Sequence, residues 1–125
     1  MIEVTQTEFE KIVANAIDSL PEEHLSKLDN VAIVIEDEPN VFQRQKANLL
    51  QFQTLFGLYE GIPQYKRGNG YSLVLPDKIT IFKGPLTRSV DTREELQKLA
   101  NNVVWHEVAH HYGLGHARIR ELEKK

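Results

Sequence analysis

The chain has 125 residues, 41% of them hydrophobic and 26% charged, with a formal net charge of -3 and no cysteine. That length suits one domain whose core can stand without disulfides or a structural metal, and the charge offers no basic footprint for nucleic acid or an anionic membrane. Without cysteine, disulfides and thiolate zinc sites are excluded, so any transition-metal site must draw on His, Asp or Glu. Residues 1–8 show neither a basic start nor an apolar h-region, and no apolar run approaches membrane-spanning length. A single cytoplasmic domain over residues 1–125 is the expectation.

Thr5 to Leu20 reads as an amphipathic helix. Thr5 and Glu8 form a capping-box pattern, and Phe9, Ile12, Val13, Ala16, Ile17 and Leu20 share one face. Pro21 stops it, and Glu22 to Leu28 can add one or two turns. Val31 to Glu36 is a β-branched run and predicts a buried strand, ended by Asp37, Glu38 and Pro39. Gln43 to Phe56 is helix-compatible, whereas Gly57 to Gly70, punctuated by Gly61, Pro63 and Gly68, reads as a loop. Tyr71 to Leu75 and Lys78 to Phe82 predict a hairpin around Pro76-Asp77, which Gly84 and Pro85 close. Asp91, with Glu94, starts the longest helix. Leu96, Leu99, Ala100, Val103 and Val104 give it an apolar face, and it should run to about Tyr112, where Gly113 can adopt a helix-ending conformation.

The end of that helix carries the chemistry. Residues 106–116 read His-Glu-Val-Ala-His-His-Tyr-Gly-Leu-Gly-His, a skeleton of H-E-x-x-H-x-x-G-x-x-H. Side chains four apart on a helix stand roughly 5–6 Å apart at Cβ, so His106 and His110 can reach one ion with bonds of about 2.0–2.1 Å. Glu107 lies about 100° further round the helix, beside the ion, where it can take a proton from water. A turn at Gly113 can bring His116 under the ion as a third ligand, leaving a fourth position open as catalytic zinc requires. A solvated helix end is the plainer reading, since His suits a helix C-terminus, but it leaves Gly113 and His116 without a role. A structural metal site does not need Glu107. His111 points away from the ion and reads as packing or as a hydrogen bond behind the ligands, Trp105 as a packing residue and His24 as a surface residue. Glu121 and Glu123 are weaker rivals to His116.

Residues 106–116 resemble the metzincin signature. The likeness stops there, because Met1 is the only methionine and no methionine turn follows His116. A wider resemblance is to a small bacterial zincin-like family of minimal metallopeptidases. It runs through Leu28-Asp29-Asn30-Val31, Ile35 to Pro39, Gly57-Leu58-Tyr59-Glu60-Gly61-Ile62-Pro63, Pro76 to Pro85 and His106 to Gly113. In that family Asp can stand at the position of His116. The resemblance implies an α+β zincin core, a small sheet packed against an active-site helix, with the N-terminal helix completing it.

The expected function is zinc-dependent hydrolysis of a peptide or protein substrate, with His106, His110 and His116 on Zn²⁺ and Glu107 as general base. An extended peptide can pair with a sheet edge near the helix, for which the 71–82 hairpin is the candidate. Tyr59, Tyr65, Tyr71 and Arg67 are open candidates for stabilising an oxyanion. Two rivals remain: a zinc-binding module that does no chemistry or needs a partner, and a metal-dependent endoribonuclease. The latter's family carries Gly where this chain has Glu107.

Overall fold

The apolar stretches have to be buried, and two kinds of periodicity decide how. A computed structural model gives the fold and describes residues 1–25, 31–47, 55–61 and 77–111. The elements follow as α1 (Gln6–Asp18), α2 (Glu22–Leu25), β1 (Val31–Glu36), α3 (Val41–Lys46), β2 (Gly57–Glu60), β3 (Asp77–Phe82), α4 (Lys83–Arg88) and α5 (Arg93–His111). The class is α+β, as expected. No helix among the described residues is long and apolar enough to cross a membrane.

The sheet has the order β1-β3-β2. β1 runs parallel to β3, with Val31 opposite Asp77 and Glu36 opposite Phe82. β2 runs antiparallel, with Gly57 opposite Ile81 and Glu60 opposite Lys78. Successive strand residues face opposite sides. Ile79 and Ile81 therefore meet the helices, joining Phe9, Val13, Leu96, Val104 and Val108 in the main core. Phe82 turns the other way, into a smaller cluster with Leu55 and Leu58.

α1 and α5 pack on each other over that core. Thr5 caps α1 by accepting from the Glu8 N–H at 3.1 Å. The Glu8 carboxylate does not close a capping box. It pairs instead with Arg93 at the start of α5, and Gln97 Nε2 donates to the Ile12 carbonyl at 2.9 Å, so the two helices are tied along their polar seam.

Several expectations need correction. α5 is capped by Thr92 and Glu95, whose N–H reaches Thr92 Oγ1 at 3.1 Å; Asp91 binds the N-terminal amino group at 2.7 Å. β1 is half-buried along its length rather than buried, since it has β3 on only one side among the described residues. α3 starts at Val41, earlier than expected, because Asn40 and Gln43 form a capping box, and it is capped at Ala47. Residues 48–54 lie outside the described residues. Gly57–Glu60 is a strand and not a loop: its pairing with β3 overrides a weak local preference. Gly84 and Pro85 open a helix rather than close a hairpin. Pro85 sits in the first turn of α4, where no intrahelical partner for an N–H exists to be lost. Both edges of β3 are taken, and residues 71–75, expected as its hairpin partner, lie outside the described residues.

The core assignment sets a contrast between two phenylalanines. Phe9 is fully buried and Phe42 is 75% exposed. Phe9→Ala is expected to cost about 3–5 kcal/mol and Phe42→Ala to stay within about 0.5 kcal/mol, as urea unfolding of each variant would measure.

Candidate functional site

α5 is buried along one stripe by Leu96, Ala100, Val103, Val104 and Val108, a spacing that fixes its rotation on the sheet. With the rotation fixed, the rest of the helix is placed. Glu107 falls beside the buried stripe and is 8% exposed. His106 and His110, four residues apart, lie half-buried at its margin.

The two imidazoles converge. Their Nε2 atoms stand 3.2 Å apart, and the rings meet edge to face with centroids 4.8 Å apart. Two ring nitrogens at that separation can share one ion at about 2.0–2.1 Å from each, so the pair fits a divalent transition metal. Among the described residues no group of three His, Cys, Asp or Glu comes together. Gly113 and His116 lie outside the described residues, as do Tyr65, Arg67, Tyr71, Glu121 and Glu123.

Glu107 is placed by β2. Gly57 packs against α5 so closely that a Cβ there would stand 2.9 Å from Val103 Cγ1 and 3.2 Å from Glu107 Cγ. A glycine is what lets the strand come this near. Two residues on, the Tyr59 N–H lies on the Glu107 side of β2 and favours the charged form of the carboxylate. The register explains the direction of that N–H. Phe82 N–H donates to the Phe56 carbonyl at 2.9 Å, so Phe56, Leu58 and Glu60 bond towards β3, and Gly57 and Tyr59 turn their main-chain groups the other way. Among the described residues the strand beside the helix is β2; residues 71–76 lie outside them.

Burial pushes the Glu107 carboxyl up to about 7, against the opposing pull of His106 and of the Tyr59 N–H. A carboxyl near 7 is suited to exchange protons at neutral pH. Beside it lies a cavity of about 290 Å³, lined by Leu55, Phe56, Gly57, Asn102, Val103, His106 and Glu107. The Tyr59 hydroxyl does not point to open space; it donates to Asp77 Oδ2 at 2.9 Å. Trp105 packs against the core, as expected.

Residues 28–125 match the model of the zincin-like metallopeptidase family. The chain belongs to that family. Its fold is similar to that of a conserved hypothetical protein from T. thermophilus, with a TM-score of 0.57 at 20% identity, covering 87% of this chain and 94% of that one. No curated protein matches the chain. The metzincin likeness rests on residues 106–116 alone, of which 112–116 lie outside the described residues.

Sequence reasoning places the zincin-like helix and misses its companion strand. Gly57 and Tyr59 fall in a stretch that looks like a loop, since a strand of four residues is too short to show alternation. The one usable signal is the stretch Gly57 to Pro63 in the family resemblance.

The raised carboxyl has a consequence for stability without metal. Below about pH 4.5, the unperturbed value, Glu107 is protonated folded or unfolded. Between there and about 7 only the folded state holds the proton, so stability falls as pH rises through that window. The loss is on the order of 3 kcal/mol. Denaturant unfolding of the metal-free protein at about pH 5 and about pH 8 should show the decline, and Glu107→Gln should lack this part of it.

Proposed function

We propose that the chain is a zinc-dependent metallopeptidase. His106, His110 and His116 hold the ion, Glu107 is the general base, and residues 1–125 act as one domain on a peptide or protein substrate. The observation that carries the reading is a pair of imidazoles whose Nε2 atoms are 3.2 Å apart, with the buried carboxyl of Glu107 beside them on the same helix. Zinc held there would acidify water towards about pH 7 and polarise the scissile carbonyl.

The chain's own residues do the rest. Glu107 accepts the proton from the attacking water and passes it to the leaving amine. Gly57 lets β2 close against the carboxylate from one side of the helix. Gly57 also directs its N–H and carbonyl away from β3, to the outer edge of β2, where an extended peptide can add as a further strand. A peptide on that edge directs alternate side chains to one face, and one of them meets the cavity beside His106. The family membership supports hydrolysis over the ribonuclease alternative, as does Glu107 itself.

Glu107→Gln should bind zinc as the parent does while hydrolysis of a peptide library falls by roughly 10²–10⁴-fold. His106→Ala and His110→Ala should each lose the metal. Metal content and cleavage assays read both, and turnover that survives Glu107→Gln would sink the mechanism.

The cavity adds a preference. Leu55, Phe56 and Val103 make most of its wall apolar. Peptides with Leu or Phe beside the scissile bond should be cut at least about tenfold faster than those with Asp or Lys there, measured as kcat/KM on a matched series.

A further inference from the structure

We infer that Asn102 reads the substrate side chain that enters the cavity beside His106, and that this side chain is unbranched and neutral with a hydrogen-bonding end, glutamine being the one of matching length. This rests on the peptidase reading, and it makes Asn102 a specificity residue rather than a catalytic one.

The helix sets the arrangement. Asn102 and His106 are four residues apart on α5, so they share one face with Cβ atoms roughly 5–6 Å apart. Both line the cavity, with Val103 and Glu107 between them and Leu55, Phe56 and Gly57 across from them. The cavity therefore runs along the helix from the imidazoles towards its N-terminal end. The neighbouring amides on α5 are used elsewhere. Gln97 Nε2 donates to the Ile12 carbonyl and to Asn101 Oδ1, both at 2.9 Å, on the seam with α1. Asn102, about 100° further round than Asn101, leaves that seam and turns to the cavity.

Depth and length then select what fits. Leu55, Gly57, Val103 and Glu107 are buried and close the floor, whereas Asn102 is exposed and marks the end open to water. A scissile bond has to lie at the imidazoles. The side chain of an adjoining residue then runs away from them, over Val103, towards Asn102. The distance is about one helical turn, 5.4 Å, and a glutamine side chain spans about the same length. Its stem meets the apolar walls and its end meets the Asn102 amide. A carboxamide offers one acceptor and two donors, so two carboxamides pair head to head. A Glu or Lys end finds no opposite charge in Asn102, and its ion would lie against apolar walls.

The test uses the full-length chain and Asn102→Leu, which nearly keeps the side-chain shape and removes the hydrogen bonds. Leucine is the better helix former, so α5 stays intact. In the zinc-loaded protein, peptides carry glutamine or norleucine, its unbranched apolar counterpart, at either position flanking the scissile bond. The ratio of kcat/KM for glutamine over norleucine should fall about three- to tenfold in Asn102→Leu, the worth of one neutral hydrogen bond, and at one of the two positions only. An unchanged ratio, or an equal fall at both positions, would overturn the proposal and leave the peptidase reading standing. A second readout needs no turnover. In the metal-free parent labelled with ¹⁵N, N-acetylglutamine methylamide should shift the side-chain NH₂ signals of Asn102 together with the main-chain signals of Gly57 and Val103. N-acetylnorleucine methylamide should shift Gly57 and Val103 alone. Equal shifts at Asn102 with both probes, or none at these residues with either, would also overturn it. If the zinc-loaded parent cuts no peptide, the peptidase reading fails, and the amide signals still decide whether Asn102 reads the side chain.

Discussion

A carboxyl group taken out of water is the constraint around which this molecule is arranged. Glu107 is nearly inaccessible, and an ionised carboxylate so placed is costly unless something meets it. Two groups do: the Tyr59 N–H, and His106 beside it. Neither comes from chance proximity. His106 is the preceding residue on the same helix, and the N–H comes from a strand held close by a glycine. The result is a group with its pKa raised to about 7. Desolvation outweighs the two groups that favour the charged form, leaving the carboxyl able to take or yield a proton.

Holding that balance requires α5 to be stiff. One side of the helix is closed by α1, through Phe9, Val13 and Ala16, and another by Ile79 and Ile81 of the sheet. Arg93–Glu8 and Gln97 to the Ile12 carbonyl add directional ties at its N-terminal half. Of these ties the ion pair is exposed, and each contributes little energy singly. Their value lies in register, because a shift of α5 by one residue would exchange Glu107 for an apolar or imidazole side chain beneath β2. The stripe from Leu96 to Val108 resists that shift with buried area.

Much of this can be read in the sequence, and for identifiable reasons. α1 and α5 are long enough for helical periodicity to repeat several times, so their apolar faces are visible. His106, Glu107 and His110 follow from helix geometry, because spacing along a helix is spacing in space. β1 and β3 are visible as β-branched runs. What is hidden depends on contacts distant in sequence. Gly57–Glu60 becomes a strand only because β3 offers it an edge. Pro85 looks like a stop, yet the first turn of a helix tolerates it. The capping of α5 by Thr92 rather than Asp91 is a one-residue difference of the kind that competing cap residues produce. Tyr59 is visible as a candidate for the site, but its hydroxyl goes to Asp77, which no linear pattern reveals.

The extent of the family match bears on which parts belong to the working unit. It begins at residue 28 and so leaves out α1. Yet α1 supplies fully buried Phe9 and Ala16 to the core that holds α5. Without α1 the apolar side of α5 that it covers would face water, and burial is what fixes the helix rotation that places Glu107. The structural likeness to the T. thermophilus protein covers 87% of this chain, more than residues 28–125 alone amount to, so it reaches into residues 1–27. The helix that lies outside the sequence match is therefore, on packing grounds, part of the same fold. The site at His106, Glu107 and His110 depends on it although α1 contributes no side chain to the chemistry.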